Sequence, residues 1–99
     1  MALSREVLPQ LLALIGDLYE DTEGFTERTD DAQLWYNRGY ANGMVEELGE
    51  LGFRPQVESL IEPDAQDVIA GHERLPWGKA YAHGRDMGRR ETREVMGGD

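Results

Sequence analysis

Cysteine is missing from this 99-residue chain, histidine occurs only twice, and acids outnumber bases two to one. Without cysteine there is no disulfide, no thiolate nucleophile and no cysteine-based zinc site, and a reducing compartment is tolerated. His72 and His83 have no metal-ligand spacing around them. There is also no HExxH, no GxSxG elbow and no glycine-rich loop after a strand. No catalytic residue, metal or cofactor is therefore expected, and the chain reads as a non-enzyme. Long apolar runs are missing too. The stretch at residues 11–15 falls far short of the roughly 20 residues a membrane span requires. It also lacks the basic leader and small-residue cleavage site of a secretory signal. A cytoplasmic protein without a membrane partner is the expectation.

Charge is what the chain has in excess, at −10 overall. It is unevenly spread: residues 1–73 hold 16 acids and 4 bases, whereas residues 74–99 hold 4 acids and 6 bases. So acidic a chain is repelled by nucleic-acid phosphates and by anionic membranes. Direct nucleic-acid binding is not expected, and a basic protein surface is the natural partner.

The length suits one domain over 1–99, with 95–99 as a frayed tail. Leu8, Leu11, Leu12, Ile15, Leu18 and Tyr19 recur at spacings of three and four, predicting a helix over 5–20. Ser4 is a candidate cap, but Pro9 then sits deep for a first turn, so the helix starts nearer Val7 or kinks. Residues 21–30 are polar and read as a loop. Asp30 or Asp31 caps a second helix that runs to about Leu51 through Leu34, Ala41, Val45 and Leu48. Gly52, Phe53 and Pro55 mark its end as a left-handed C-cap with Phe53 reaching back to Leu48. Short helices are expected near 56–61 and 64–73, the first alternatively a strand at 57–61, and Pro76 opens a last helix over 77–95. The fold class is all-α: a small bundle of three main helices and one or two short ones.

Within the second helix, Gly39 and Gly43 each cost about 1 kcal/mol relative to alanine. The segment LWYNRGYANG (34–43) aligns with LPWGKAYAHG (75–84) at an offset of 41 residues. Both carry a small-xxx-small stripe: Gly39 and Gly43 in one, Ala80, Gly84 and Gly88 in the other. Tyr36, Tyr40, Trp77 and Tyr81 border these stripes. Such stripes let helices cross closer than the usual 8–10 Å, so these residues form a helix–helix seam, within the chain or across the two-fold axis of a homodimer. RGYANG, through Arg38, Gly39, Tyr40 and Gly43, also locally resembles the RGYxAG helix of ribosome modulation factors. Those proteins are short and strongly basic whereas this chain is acidic, so the resemblance implies shared packing and no function.

Seven acids (Asp17, Glu20, Asp21, Glu23, Glu27, Asp30 and Asp31) stand against one base over residues 17–31. Aligning Gly24 with the glycine of a calcium loop puts Tyr19 at the first ligand position, which needs a carboxylate, so no metal is expected. The alternatives are a solvated loop or an acidic face that docks on a basic groove. Arg85, Arg89 and Arg93 form a basic stripe on the last helix, expected to meet region 17–31 in cis or on a second subunit. Taken together these features describe a small acidic inhibitor or anti-activator that blocks a basic nucleic-acid-binding or dimerisation surface. A DNA mimic or anti-CRISPR protein of phage or mobile-element origin fits that description. A structural homodimer or assembly subunit is the rival, and a small ligand-binding or catalytic domain around Trp35, Trp77 or His83 is another. Charge-swapping Arg89→Glu is expected to weaken folding or dimerisation, seen as a lower melting temperature or a changed oligomer mass; if neither moves, the stripe has no structural partner.

Overall fold

The computed structural model describes residues 5–64 and 68–97. A 3-10 turn at Arg5–Val7 leads into α1 (Leu8–Asp21), which places Pro9 in the first turn, where its missing N–H is not needed. The proposed cap Ser4 lies outside the described residues. A 3-10 turn at Phe25–Glu27 follows, then α2 (Ala32–Glu50), α3 (Arg54–Glu58) and α4 (Pro76–Gly97). Among the described residues there is no strand, and the architecture is the expected small all-α bundle. Asp31 caps α2, its carboxylate accepting from the Leu34 N–H at 3.1 Å. At the other end Gly52 takes φ +97°, a conformation open to glycine. There the Phe53 N–H donates to the Leu48 carbonyl at 2.8 Å and the Gly52 N–H to that of Gly49 at 3.2 Å, the paired bonds of a Schellman cap.

One expectation is corrected. Among the described residues of 64–73 the second short helix is absent: Asp64 is irregular and the chain runs as turns from Val68, with Gly71 at φ +83°. Residues 65–67 lie outside the described residues. The stretch 21–30 is the expected loop, and Thr22 and Phe25 are buried in it. Thr22 donates to the Leu18 carbonyl at 2.5 Å, and the Phe25 ring packs edge-on against Trp35 at 4.8 Å.

Helix α2 is central and buries residues on every side. Along one side it carries α1, whose leucines and Ile15 join Met44, Val45, Leu48, Phe53, Val57 and Met96 in an aliphatic core. Nearer its start, Trp35 packs with Phe25, Ile69 and Tyr81 in a second, aromatic cluster. Helix α4 covers the remaining side and runs parallel to α2, since Gly39 meets Tyr81 and Gly43 meets Arg85. A parallel pair requires the connection 51–75 to travel back the length of the helix, which is why that stretch is long; among its described residues only α3 is helical.

At the crossing the two backbones touch. A Cβ added to Gly39 would sit 2.1 Å from the Tyr81 carbonyl oxygen, and one on Gly43 would sit 2.1 Å from that of Arg85. Reciprocally, a Cβ on Gly84 would meet the Tyr36 carbonyl oxygen at 2.1 Å and one on Gly88 that of Tyr40 at 2.1 Å. Residues 45 apart (39 and 84, 43 and 88) thus play equivalent parts in a local two-fold arrangement. The offset is one helical turn longer than the 41 of the sequence alignment. The seam lies within one chain, and each glycine hydrogen directed at a carbonyl makes a weak Cα–H···O contact.

Replacing Gly43 or Gly84 by alanine is therefore expected to force the helices apart, costing about 3 kcal/mol or more. Gly49→Ala, whose Cβ would meet only the Arg54 guanidinium at 3.8 Å, is expected to stabilise by about 0.5–1 kcal/mol. Urea unfolding of the three variants checks this, and a neutral Gly43→Ala would show that the helices are not in backbone contact.

Candidate functional site

Two charged features flank the helix pair at opposite ends of α2. The first is the acidic region. Asp17, Glu20 and Asp21 are exposed on the last turns of α1, and Glu23, Glu27 and Asp30 are exposed on the loop that follows. None of these six carboxylates meets a cation or a hydrogen-bond donor among the described residues. Asp31 is different: it caps α2 and pairs with Arg28 at 3.7 Å. The loop is held in place by what it buries. Besides Thr22 and Phe25, the Arg28 carbonyl accepts the Trp35 indole N–H at 3.0 Å. The acids thus project from a fixed backbone.

The second is the basic stripe, and its expected partner is corrected. Arg85 pairs with Glu46 at 2.6 Å. Arg89 reaches Glu50 at 2.8 Å, Glu47 at 3.6 Å and Glu46 at 3.7 Å. Arg93 pairs with Glu47 at 3.0 Å. All three arginines therefore meet α2 and not region 17–31. The reason is the parallel packing, which lays this half of α4 beside residues 46–50. Region 17–31 sits at the other end, where Phe25 meets Trp35. Glu47 is only 2% exposed, so Arg89 and Arg93 neutralise a buried carboxylate. The Arg89→Glu expectation of weakened folding now has a concrete cause, repulsion from three glutamates.

Between the aromatic and aliphatic clusters lies a polar layer that sequence reasoning missed. Arg38, 9% exposed, grips Asp64 with two bonds, Nε to Oδ2 at 2.8 Å and Nη2 to Oδ1 at 3.1 Å. Its Nη1 donates to the Tyr19 carbonyl at 3.1 Å and to the Thr22 hydroxyl at 2.9 Å. The guanidinium also stacks over the Tyr19 ring, 3.6 Å from its centre. Asn42 donates to Asp64 Oδ2 and to the Tyr81 hydroxyl, both at 2.8 Å. The Tyr19 hydroxyl in turn donates to Asn42 and accepts the Asp64 N–H. Burial alone would raise the Asp64 carboxyl, but the bonds from Arg38 and Asn42 hold it below its ordinary value. Burial pushes the Tyr19 phenol up to about 12, and it raises that of Tyr81 as well. Both remain neutral, Tyr19 donating to Asn42 and Tyr81 accepting from it. One signal was visible in the sequence, a lone arginine among the apolar positions of α2. Its partner lies 26 residues away and could not be read.

The aromatic residues are packed and not arrayed around an opening. The Trp35 ring lies 4.3 Å from Trp77 and 6.2 Å from Tyr81. Tyr36 lies 6.5 Å from Tyr40 and 5.5 Å from the exposed His83. His72, also exposed, lies 5.1 Å from Trp77. The Tyr40 hydroxyl donates to Glu91, linking α2 to α4. A small cleft of about 40 Å³ opens beside Asn42, Asp64 and Tyr81, room for ordered water. Among the described residues no group of three or more histidines and carboxylates is gathered to hold a metal. No helix there is long and apolar enough to cross a membrane. The chain matches no protein-family profile, no curated protein and no solved structure.

Asp64 gives a pH test. Its carboxyl is lowered in the folded state, so its contribution is present above the unfolded value near 4 and is lost as pH falls through the folded one. Asp64→Asn, which leaves Arg38 without its counter-charge, is expected to cost about 2–4 kcal/mol at pH 7. The gap between wild type and variant should shrink steadily below about pH 4. Urea unfolding across the pH range measures it, and a gap independent of pH would mean that the pair is not ionic.

Proposed function

We propose that this chain is a small acidic docking protein that covers a basic surface of another protein. It acts as an inhibitor or anti-activator of a regulator or nucleic-acid-binding enzyme. The observation that carries this reading is the division of the acids. Glu46, Glu47, Glu50 and Asp64 are matched to arginines inside the fold. Asp17, Glu20, Asp21, Glu23, Glu27 and Asp30 are left without a cation among the described residues, on the last turns of α1 and the following loop anchored by Thr22 and Phe25. A fixed array of unpaired carboxylates attracts a cationic surface at long range and loses little conformational freedom on docking.

The rival readings draw less support. The glycine seam that would have built a homodimer is occupied within the chain. Around Trp35 the space is filled by Phe25, Trp77 and Tyr81, and His83 stands exposed against Tyr36. Neither surrounding is that of a reacting group in a pocket.

The mechanism is steric and electrostatic. The carboxylates steer the encounter and occupy the positions that phosphates or an acidic partner would take. Affinity should fall steeply with salt, since exposed charges are screened within about 10 Å at 0.1 M.

The test is a pull-down from lysate of the encoding organism, at about 0.05 M and about 0.5 M salt, identified by mass spectrometry. It compares the native chain with a variant carrying D17N, E20Q, D21N, E23Q and E27Q. One basic regulator or nuclease should be captured by the native chain at low salt, and lost both at high salt and with the variant. The variant should melt no lower than the native chain, because these acids have no structural partners. Undiminished capture by the variant, or recovery of the chain alone, would overturn the reading.

A further inference from the structure

Tyr81 is 3% exposed, yet only one side of its hydroxyl is engaged. The oxygen accepts from Asn42 Nδ2 at 2.8 Å, while the phenolic proton meets no acceptor among the described residues. Burial raises the phenol, and the negative charges of Asp64 and Glu46 add to this, so the proton is in place at neutral pH. Asn42 is already engaged at both ends of its amide: Oδ1 accepts the Tyr19 hydroxyl, and Nδ2 gives its hydrogens to Asp64 and Tyr81. Asp64 Oδ2 accepts from Arg38 and Asn42. Its Oδ1 accepts, among the described residues, only from Arg38 Nη2 at 3.1 Å, which leaves it a lone pair. Glu46, paired with Arg85 at 2.6 Å, lines with Asn42, Asp64 and Tyr81 the same cleft of about 40 Å³. A donor lacking an acceptor and carboxylate oxygens with capacity to spare thus border one small space.

We propose that this cleft is a binding site for one structural water, which accepts the Tyr81 proton and donates its own two to Asp64 Oδ1 and Glu46. The chemistry of the walls selects this ligand. An anion could accept from Tyr81 but would stand against two carboxylates. A metal or ammonium ion would suit the carboxylates but gives the Tyr81 proton nothing to bond. Water combines an acceptor with two donors, and three polar partners are the usual number for a buried water. Size agrees, since a water's share of liquid volume is about 30 Å³, and the cleft leaves no room for an organic ligand. The bound water ties Tyr81 of α4 to Asp64 of the return segment by a second route besides Asn42. It also joins two polar systems that share no hydrogen bond among the described residues, the layer around Arg38 and the ladder of Glu46, Arg85 and Arg89. The inference is independent of the acidic docking function.

The experiment is a crystal structure of the full chain at a resolution that places waters, paired with solution NMR of the native chain and of Tyr81→Phe. A density peak should lie about 2.7–2.8 Å from Tyr81 Oη and within hydrogen-bonding reach of Asp64 Oδ1 and Glu46. In solution the Val45 methyls, which line the cleft, should show an Overhauser effect to water of the sign that marks a long-lived site. Tyr81→Phe should abolish both signals and lower the folding equilibrium constant about tenfold, because Asn42 loses an acceptor together with the water. Four results would overturn the site: well-ordered walls with no peak between them, a Tyr81 proton given directly to a group of the chain, a peak that persists unchanged in Tyr81→Phe, or a peak ringed by five or more oxygens, which is a metal ion.

Discussion

The backbone contact between α2 and α4 is the constraint from which the rest of the structure follows. Four glycines place bare Cα atoms against carbonyl oxygens, so the helices approach more closely than side chains normally allow. That proximity brings the glutamates at 46, 47 and 50 within reach of Arg85, Arg89 and Arg93. Because the pair is parallel, residues 51–75 must return along it. They are fixed at several points on the way: Phe53 and Val57 in the aliphatic core, Asp64 on Arg38, and Ile69 in the aromatic cluster. A further close contact ends the return, since a Cβ on Gly78 would meet the His72 carbonyl oxygen at 2.0 Å. The penalty of glycine within a helix is offset by the contacts its absence of bulk permits.

The polar layer around Arg38 has a different task. A buried ion pair roughly breaks even in stability against apolar residues of the same volume, so its presence is better explained by position than by energy. One bidentate grip joins α2 to the return segment, while bonds to the Tyr19 carbonyl and the Thr22 hydroxyl tie in the end of α1. The same guanidinium stacks on Tyr19 and lies 4.8 Å from the Phe25 ring centre. Thus Arg38, which lies between the two apolar clusters, also ties down the start of the acidic loop through Thr22. The shape of the acidic surface is coupled in this way to the core beneath it.

The readable features were local ones. The three main helices, the Asp31 cap and the Gly52–Phe53 stop depend on short-range spacing and turn chemistry, and those rules held. The stripes at 39/43 and 84/88 announced a close crossing because no other physical role suits glycines four apart in a helix. Whether that crossing was internal, and in which register, depended on the direction of α4, which spacing does not encode. The alignment offset of 41 was a turn away from the true correspondence for that reason. Phe25 was hidden by its acidic neighbours, whose composition signalled solvent around a residue that packs on Trp35. The Arg85–Arg89–Arg93 stripe was visible, but its partners were not, because ion pairs between helices follow tertiary register.

The distribution of charge completes the physical account. A chain at −10 works against its own compaction, and two arrangements limit that cost here. Glu46, Glu47, Glu50 and Asp64 are paired with arginines, and in the case of Glu47 and Asp64 this happens where solvent screening is weak. Acids that face water sit on the outside of α1 and its loop, where screening is strong and folding draws them together little more than the chain sequence already does. The backbone beneath them is secured mainly by apolar and hydrogen-bonded anchors, Thr22, Phe25 and the Arg28 carbonyl, with the exposed Arg28–Asp31 pair at its far end. Under the proposed function, docking a cationic surface there would relieve repulsion and leave the Arg38–Asp64 pair and those of Arg85, Arg89 and Arg93 intact. The acidic surface is mechanically joined to the folded core, yet its six unpaired carboxylates stand apart from the carboxylates that the core arginines neutralise, so under the proposed docking function a partner would bind or leave without altering the fold.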